Sequence, residues 1–259
     1  MKLKSKYKNL VVSGCSFTSN WPSDPDQPYN WANMLADWAG MTIHNLGIPG
    51  AGNSHISKSI KIFLTKTQLD PEDTLVIAMW SGIGRIDLVT DPESSLFKDI
   101  YPFPYYYDKS AELSHGGNWW TIKGNLTPIQ ELIIDYSKFQ NDETFAINSW
   151  LEMTALTDFL NRTKYKHYFT SFCNYKLVDE IKGDACIVDY YKQLKKLNLS
   201  LDQTNWLKLR KAEYYGNWAR RQNLIDPSDD FHPFYKAPER WTQEILIPHL
   251  IADGVLYYE

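Results

Sequence analysis

The sequence predicts an α/β fold in which a parallel sheet lies between two layers of helices. Two mainly apolar runs, Asn9–Ser13 and Thr74–Trp80, and a short segment between them, Thr42–Asn45, have the length of strands and end near glycine or polar residues. Segments whose apolar residues recur every three to four positions separate these runs, as in helices with one buried face. The β-α-β-α-β alternation therefore predicts a three-layer α/β/α sandwich with a parallel sheet of about five strands.

The first three strands and the two helices between them follow from local pattern. The first strand is continuously apolar up to Gly14, which is typical of a strand buried on both faces. The second strand ends in a glycine-rich turn at 47–52, and Ser54 is expected to cap the helix after it. The apolar face of the first helix consists of Trp31, Met34, Leu35 and Trp38, and that of the second includes Ile56, Ile60 and Leu64.

The segment at about 91–125 breaks the alternation. It is rich in aromatic residues, glycine and proline and fits neither a helical nor a strand period, so we interpret it as an insert at the carboxyl end of the third strand. Further helices are predicted at about 128–138, 143–162, 188–197 and 235–250, and further strands at 167–172 and 204–207. No repeat and no Gly-, Ser- or Pro-rich linker interrupts the chain, which predicts a single domain over 1–259.

Composition narrows the classes of partner. The net charge of -4 and pI of about 5.9 give no electrostatic footprint for nucleic acid. We expect the basic opening at 2–8 to be a solvated lead-in to the first strand. No apolar run reaches the roughly 20 residues of a membrane span, and no signal-peptide core is present near Met1. The chain is therefore expected to be cytoplasmic as synthesised and not to bind membranes, with its site of action and oligomeric state left open.

The cysteines and histidines do not form a metal motif. Neither the three cysteines nor the histidines show the paired spacings of zinc sites, so we predict no metal and no cofactor. The cysteines are interpreted as reduced thiols. Strand alternation should direct Cys15, the neighbour of Ser16, into the core.

Polar junctions follow the predicted strands, and ligands of open α/β sheets bind outside the carboxyl ends of the strands. Ser16 follows the first strand, and Ser81 follows the third. A fourth polar element, Asp229–Pro233, directly precedes the last helix. A serine hydroxyl becomes a good nucleophile when an imidazole takes its proton, and an acid holds that imidazole in the correct tautomer. As an alternative, Ser16 caps a helix.

Three of these junctions together resemble the SGNH (GDSL-like) hydrolases. They are the Gly-x-Ser-x-Thr turn at 14–18, the Asn-x-x-x-x-Gly turn from Asn45 to Gly50, and the terminal Asp-x-x-His-Pro at 229–233. The resemblance implies a flavodoxin-like strand order. It also implies Ser16 as nucleophile, His232 as general base and Asp229 as its orienting acid. The backbone N–H groups of Ser16 and Gly50 would be oxyanion donors.

One block departs from the family pattern. The family has Gly-x-Asn-Asp after the third strand, and its Asn is a third oxyanion donor, whereas this chain has Trp80-Ser81-Gly82-Ile83. Loss of one such donor costs about 10²–10³ in rate. Asn53 and, second, Ser81 are the candidates to replace it.

The expected substrate is a small-molecule or glycan ester. The leading interpretation is a serine esterase that hydrolyses a small acyl ester, with an acetylated carbohydrate favoured by the aromatic insert. The alternatives are a weakly active or inactive SGNH-like domain that binds a glycan or partner protein, and an acyltransferase using the same triad. The candidate substrate-binding residues are Arg85, Tyr105, Tyr106, Tyr107, Trp119 and Trp120.

Overall fold

In the computed structural model, a four-stranded parallel sheet forms the centre of the molecule. The structure describes residues 2–19, 30–48, 51–82, 86–90, 118–122, 142–172, 197, 199, 204–207, 214–224 and 236–259. In chain order, its helices and strands are β1 (Leu3–Ser5), β2 (Asn9–Ser13), α1 (Trp31–Ala39), β3 (Thr42–Asn45), α2 (Asn53–Thr67), β4 (Thr74–Trp80), β5 (Ile86–Thr90), β6 (Asn118–Ile122), α3 (Asp142–Arg162), β7 (Lys166–Ser171), α4 (Tyr215–Arg221), α5 (Lys236–Trp241), α6 (Ile247–Ala252) and β8 (Leu256–Tyr258).

The strand order of the central sheet is β3-β2-β4-β7. All three pairings are parallel, with Val11 opposite both His44 and Val76. Numbered by their own sequence, the four strands run 2-1-3-4, which are the first four positions of the flavodoxin-like order. Helices cover both faces of the sheet. The predicted α/β/α fold class and strand order are therefore confirmed.

A fifth strand, expected at Thr204–Leu207, is reduced to a single bridge within the described residues. Trp206 forms a parallel bridge with Phe169 of β7. The Phe169 N–H donates to the carbonyl of Asn205, and the Leu207 N–H donates to the carbonyl of Phe169, both at 2.9 Å. This segment thus continues the sheet beyond β7 in the predicted place.

Alternate residues of β2, β4 and β7 belong to two separate cores. On one face, α1 and the helices α4 to α6 pack against side chains such as Leu10, Ile77 and Met79. On the other face, α2 and α3 cover Val11, Ala78 and their neighbours. Because successive side chains of a strand point to opposite faces, a continuously apolar strand fills both cores. This explains the unbroken apolar runs of β2 and β4.

The ends of α1 follow local rules. The Asn30 side chain accepts hydrogen bonds from the backbone N–H groups of Ala32 and Asn33, which is a side-chain N-cap. The helix ends at Gly40 with a φ of 70°, a conformation that glycine adopts without steric cost. The expected cap of α2, Ser54, was wrong. The N-cap residue of α2 is Gly52, and the Ser54 hydroxyl donates instead to Glu152 of α3.

Two antiparallel pairs lie beside the central sheet. β1 pairs with β8, so the basic opening is partly a strand, with Leu3 buried, and not only a solvated lead-in. β5 pairs with β6, which falls inside the segment that we expected to lack strands. The assignment of 91–125 as an insert, and of the chain as one domain, stays a prediction. The helices expected at 128–138 and mostly at 188–197 lie outside the described residues.

The last helical region contains a π-helical turn between α5 and α6, at Thr242–Leu246. Pro248 follows this turn as the second residue of α6. Proline has no N–H, and its ring collides with the carbonyl four residues earlier, so an unbroken α-helix could not pass through this position. The wider turn relieves that conflict while Trp241, Leu246 and Leu250 stay buried in the same core. In the portion of the chain that the structure covers, no helix has the length and apolar character needed to cross a bilayer.

Candidate active site

Ser16 lies in a tight turn directly after β2, a central strand of the sheet. The N–H groups of Thr18 and Ser19 both donate to the carbonyl of Cys15, at 2.8 and 2.9 Å. A Cβ on Gly14 would lie only 2.7 Å from Cβ of Thr18, so the turn requires glycine there. Cys15 is fully buried in the α2/α3 core, as alternation predicted, whereas Ser16 is half-buried. The Cys15 thiol is therefore buried, whereas Ser16 is partly exposed at the carboxyl end of the sheet.

Asn45, at the end of β3, holds this turn against its neighbour. Its side-chain amide donates to the carbonyl of Thr18 at 2.6 Å, and its side-chain oxygen accepts from the N–H of Gly47 at 2.9 Å. The Ile48 N–H also donates to the carbonyl of Gly14 at 3.1 Å. The segment from Asn45 to Ile48 is therefore hydrogen-bonded to the chain on both sides of Ser16, at Gly14 and at Thr18. Asn45 was predicted only as part of a motif, and its role in positioning the turn was not predicted.

Asn53 and Ser81 meet at the carboxyl end of β4. The buried side chain of Asn53 accepts a hydrogen bond from the N–H of Ser81 at 2.9 Å. Its amide nitrogen donates to the hydroxyl of Ser149 on α3 at 3.0 Å. Ser81 is fully buried. The two residues proposed as replacements for the missing oxyanion donor are thus in direct contact, and the role of each as a donor stays a prediction.

Asp87 of β5 caps α2 from outside the helix. One carboxylate oxygen accepts from the N–H of Gly52, and the other accepts from the N–H of His55, both at 2.7 Å. The role of Asp87 was not predicted, because no local pattern links this residue to a helix more than 30 positions away. The first turn of α2, which carries Asn53, is therefore held by a carboxylate of the β5–β6 pair.

His55 is a buried histidine beside this cap. Burial lowers the pKa of the His55 imidazole, while the nearby carboxylate of Asp87 opposes that shift. Its Nε2 lies 3.1 Å from the carbonyl of Leu46. A carbonyl only accepts hydrogen bonds, so Nε2 carries the proton. This contact links the first turn of α2 to the residue after β3.

Aromatic rings border the site on the side of β7. Phe17 stacks on Phe172 with ring centroids 4.8 Å apart, and both rings are partly buried. Tyr215 contacts the ring of Phe17 edge-on, and burial raises the pKa of its hydroxyl, which stays protonated at neutral pH. The ring of Phe172 also reaches Gly82, where an added Cβ would lie 3.9 Å from Cζ. Phe172 thus bridges the turns after β2 and β4.

The remaining predicted residues are only partly covered. Trp119 and Trp120 lie in β6, opposite Val89 and Leu88. Among the residues with described positions, no group of His, Cys, Asp or Glu could hold a metal ion. The residues that lie outside the described part of the chain are Gly50, Arg85, Tyr105, Tyr106, Tyr107, Asp229 and His232. Their roles stay predictions.

Comparisons with known proteins add little to this geometry. No family model matches the chain, and no curated protein matches it. It is similar to a solved structure of the psychrotrophic esterase EstA from Pseudoalteromonas sp. inhibited by monoethylphosphonate. That similarity has 10% identity and a TM-score of 0.45, and it covers 95% of this chain and 98% of that chain. A likeness this distant carries no argument about the present chain, whose α/β/α fold is assigned from its own strand order and layers.

Proposed function

We propose that the chain is a serine ester hydrolase of the SGNH type that cleaves a small acyl ester. The observation that supports this most strongly is the placement of Ser16. It is half-buried in a turn at the carboxyl end of the sheet, where Asn45 fastens it to the next junction. Its neighbour Cys15 is buried in the core. The polar junctions after β3 and β4 lie on either side, as the order β3-β2-β4 requires.

The proposed reaction has two steps. Oγ of Ser16 attacks the ester carbonyl carbon while His232 takes its proton, and Asp229 stabilises the resulting imidazolium. The tetrahedral intermediate then expels the alcohol, which receives the proton from His232, and leaves an acyl group on Ser16. Water then attacks the carbonyl carbon of the acyl-enzyme while His232 takes one of its protons. The second tetrahedral intermediate expels Oγ of Ser16, which regains its proton from His232, and the carboxylic acid is released.

Oxyanion stabilisation is the step for which this chain needs a substitute donor. The family's Asn after the third strand is absent, and we propose Asn53, with Ser81 second, together with the backbone N–H groups of Ser16 and Gly50. In support, Asn53 is fixed at two points of its side chain, and a fixed dipole needs no reorganisation as charge develops. The donor is uncharged, as a hole for a developing oxyanion allows.

The favoured substrate is an acetylated carbohydrate. The support is the aromatic-rich segment at about 91–125, since aromatic rings stack on sugars, and the bracketing pair β5–β6 is bonded to α2 through Asp87. Arg85, Tyr105, Tyr106, Tyr107, Trp119 and Trp120 stay the candidate binding residues. Release of acetate from an O-acetylated oligosaccharide would test this choice.

Labelling with a fluorophosphonate tests the nucleophile. We expect the reagent to phosphonylate the peptide that contains Ser16, read by mass spectrometry, and Ser16→Ala to lose both the label and p-nitrophenyl acetate turnover. Ser5→Ala is the matched control, because Ser5 lies in β1 before the amino end of β2. A wild-type protein that takes no label and turns over no ester would instead support the second candidate, a non-catalytic domain that binds a glycan or protein. The missing Asn after β4 is the observation that favours that candidate.

A further inference from the structure

The first turn of α2 lacks a cap of its own. Its N-cap residue is Gly52, which has no side chain to accept the first N–H groups of the helix. In a usual capping box, the N-cap side chain accepts the N–H three residues later, and the residue there returns a bond to the N-cap N–H. In α2 the N–H of Gly52 and the N–H of His55 occupy these two positions. Both donate to Asp87, so one carboxylate replaces both halves of the box.

Close approach of the carboxylate explains the glycine. A Cβ on Gly52 would lie 2.7 Å from one oxygen of Asp87 and 3.0 Å from the other. The φ of Gly52 is -92°, an ordinary value, so the requirement for glycine comes from space and not from backbone conformation. Gly52 and Asp87 therefore form a matched pair that fixes how near β5 lies to the start of α2.

Asn53 lies between the two bonded N–H groups. Its backbone is held on both sides by Asp87, while its side chain is held by Ser81 and Ser149. A small rotation of this turn would move the Asn53 amide relative to the end of β4. Misplacement of a reacting or stabilising group by about 1 Å can cost about 100-fold in rate.

We propose that Asp87 is a positioning residue for catalysis, which holds the first turn of α2 so that Asn53 keeps its place beside the carboxyl end of β4. This rests on the proposed esterase function. Asp87 touches neither substrate nor nucleophile in this role, and acts through the backbone of Gly52 and His55. It also ties the β5–β6 pair, and with it the base of the aromatic segment, to the same turn.

The test compares Asp87→Ala and Asp87→Asn with wild type by p-nitrophenyl acetate kinetics, fluorophosphonate labelling rate and melting temperature. We expect kcat and the labelling rate to fall about 10- to 100-fold in Asp87→Ala with little change in KM. Asp87→Asn keeps one acceptor oxygen, so its kcat and labelling rate should lie between those of wild type and Asp87→Ala. Asp70→Ala is the matched control, because Asp70 caps a short helix at the amino end of β4, with its side chain accepting from Glu72 N–H at 2.9 Å. We expect it to keep wild-type kcat.

The outcomes separate the two claims. If the fluorophosphonate labels wild type and Asp87→Ala at the same rate, the positioning role is overturned and the esterase function is left intact. If Asp87→Ala does not fold, wild-type kcat in a folded Asp87→Asn also overturns it, as does an equal loss of kcat in Asp70→Ala. A wild type without label or turnover overturns the esterase function, and the positioning role with it.

Discussion

The side-chain oxygen of Asn53 accepts a hydrogen bond from the backbone N–H of Ser81 at 2.9 Å. This contact joins the first turn of α2 to the end of β4. The hydrogen bond uses the backbone of Ser81 and the side chain of Asn53, so it depends on the side chain of Asn53 and not on that of Ser81. Substituting Ser81 by alanine preserves the contact, and substituting Asn53 removes it.

That asymmetry leads to a prediction about the oxyanion donor. We expect Asn53→Ala to lower esterase kcat by about 100-fold and Ser81→Ala to leave it near the wild-type value. Ser149→Ala is the control, since it removes the partner of the Asn53 amide nitrogen but keeps the amide. Steady-state kinetics of the single variants and of the Asn53/Ser81 double variant would decide. Wild-type rates in both single variants would show that backbone donors alone form the hole.

Asn45 offers a test of how the turn that contains Ser16 is held in place. Asn45→Asp keeps the oxygen that accepts from Gly47 but loses the amide that donates to the carbonyl of Thr18. We expect a loss of about 1–3 kcal/mol in the free energy of unfolding, because a partly buried carbonyl loses its donor and faces a carboxylate. The fluorophosphonate labelling rate of Ser16 should fall as well. Urea denaturation and labelling kinetics measure the two effects, and unchanged labelling would separate Asn45 from the site.

The stacked rings of Phe17 and Phe172 predict acyl-chain selectivity. Phe17 follows Ser16 in the same turn and its ring stacks on that of Phe172, so we expect the two rings to border the acyl group of an ester bound at Ser16. Phe172→Ala should therefore lower the ratio of kcat/KM for p-nitrophenyl acetate to kcat/KM for p-nitrophenyl hexanoate by about 10-fold. Phe159→Ala, in the α2/α3 core, is the matched control and should keep the wild-type ratio of kcat/KM values. A changed preference for the alcohol, with the acyl preference intact, would place the alcohol there instead.

Buried His55 predicts that the protein loses stability in acid. Burial lowers its pKa in the folded state below the ordinary value of 6.5, so below that pH the unfolded chain binds a proton that the folded chain does not. The free energy of unfolding should fall as the pH drops below about 6.5, by at most about 1.4 kcal/mol per pH unit for this group. Urea midpoints at several pH values would measure this slope. His55→Gln should make it shallower, and His44, whose pKa is also lowered by burial, should account for part of the remainder.

Gly52 and Asp87 should be energetically coupled. Gly52→Ala forces a methyl group against the carboxylate and should cost about 1–3 kcal/mol of unfolding free energy. In an Asp87→Ala background that obstacle is gone, so the same substitution should cost less. A double-mutant cycle by urea denaturation measures the difference. Additive costs would mean that the contact does not determine the glycine.

The central sheet was predictable because its strands carry their information locally. Continuous apolar runs such as Thr74–Trp80 mark doubly buried strands wherever they occur, and Asn9–Ser13 was predicted to the residue. The β1–β8 pair was missed, because three-residue strands have no period to detect. The cap of α2 was assigned to Ser54, since a local pattern favours a hydroxyl there, whereas the true acceptor comes from β5.

The same distinction applies to the candidate site. The position of Ser16 in a turn after β2 could be predicted, because the strand, the glycine and the turn are adjacent in sequence, while its catalytic role stays a prediction. Asn53 and Ser81 were predicted as alternative oxyanion donors, and the hydrogen bond between them was not predicted. The two residues are 28 positions apart, so no local pattern indicates that bond. Long-range polar contacts depend on the packing of α2 and α3 against the sheet, and no sequence period encodes them.

The pairing of β1 with β8 also bears on the order in which the molecule can assemble. Ser16, Asn45, Asn53 and Ser81 all lie on or beside elements that end by residue 82, and the contacts of Asn45 with Thr18 and of Asn53 with Ser81 join segments close in sequence, whereas the contact of Asn53 with Ser149 needs α3. Contacts between segments close in sequence have short loops to close and form early. The β1–β8 ladder needs residues 3–5 and 256–258 together. During synthesis, the turn that holds Ser16 can therefore be complete before His232 has been added to the chain, and the ladder can close only afterwards.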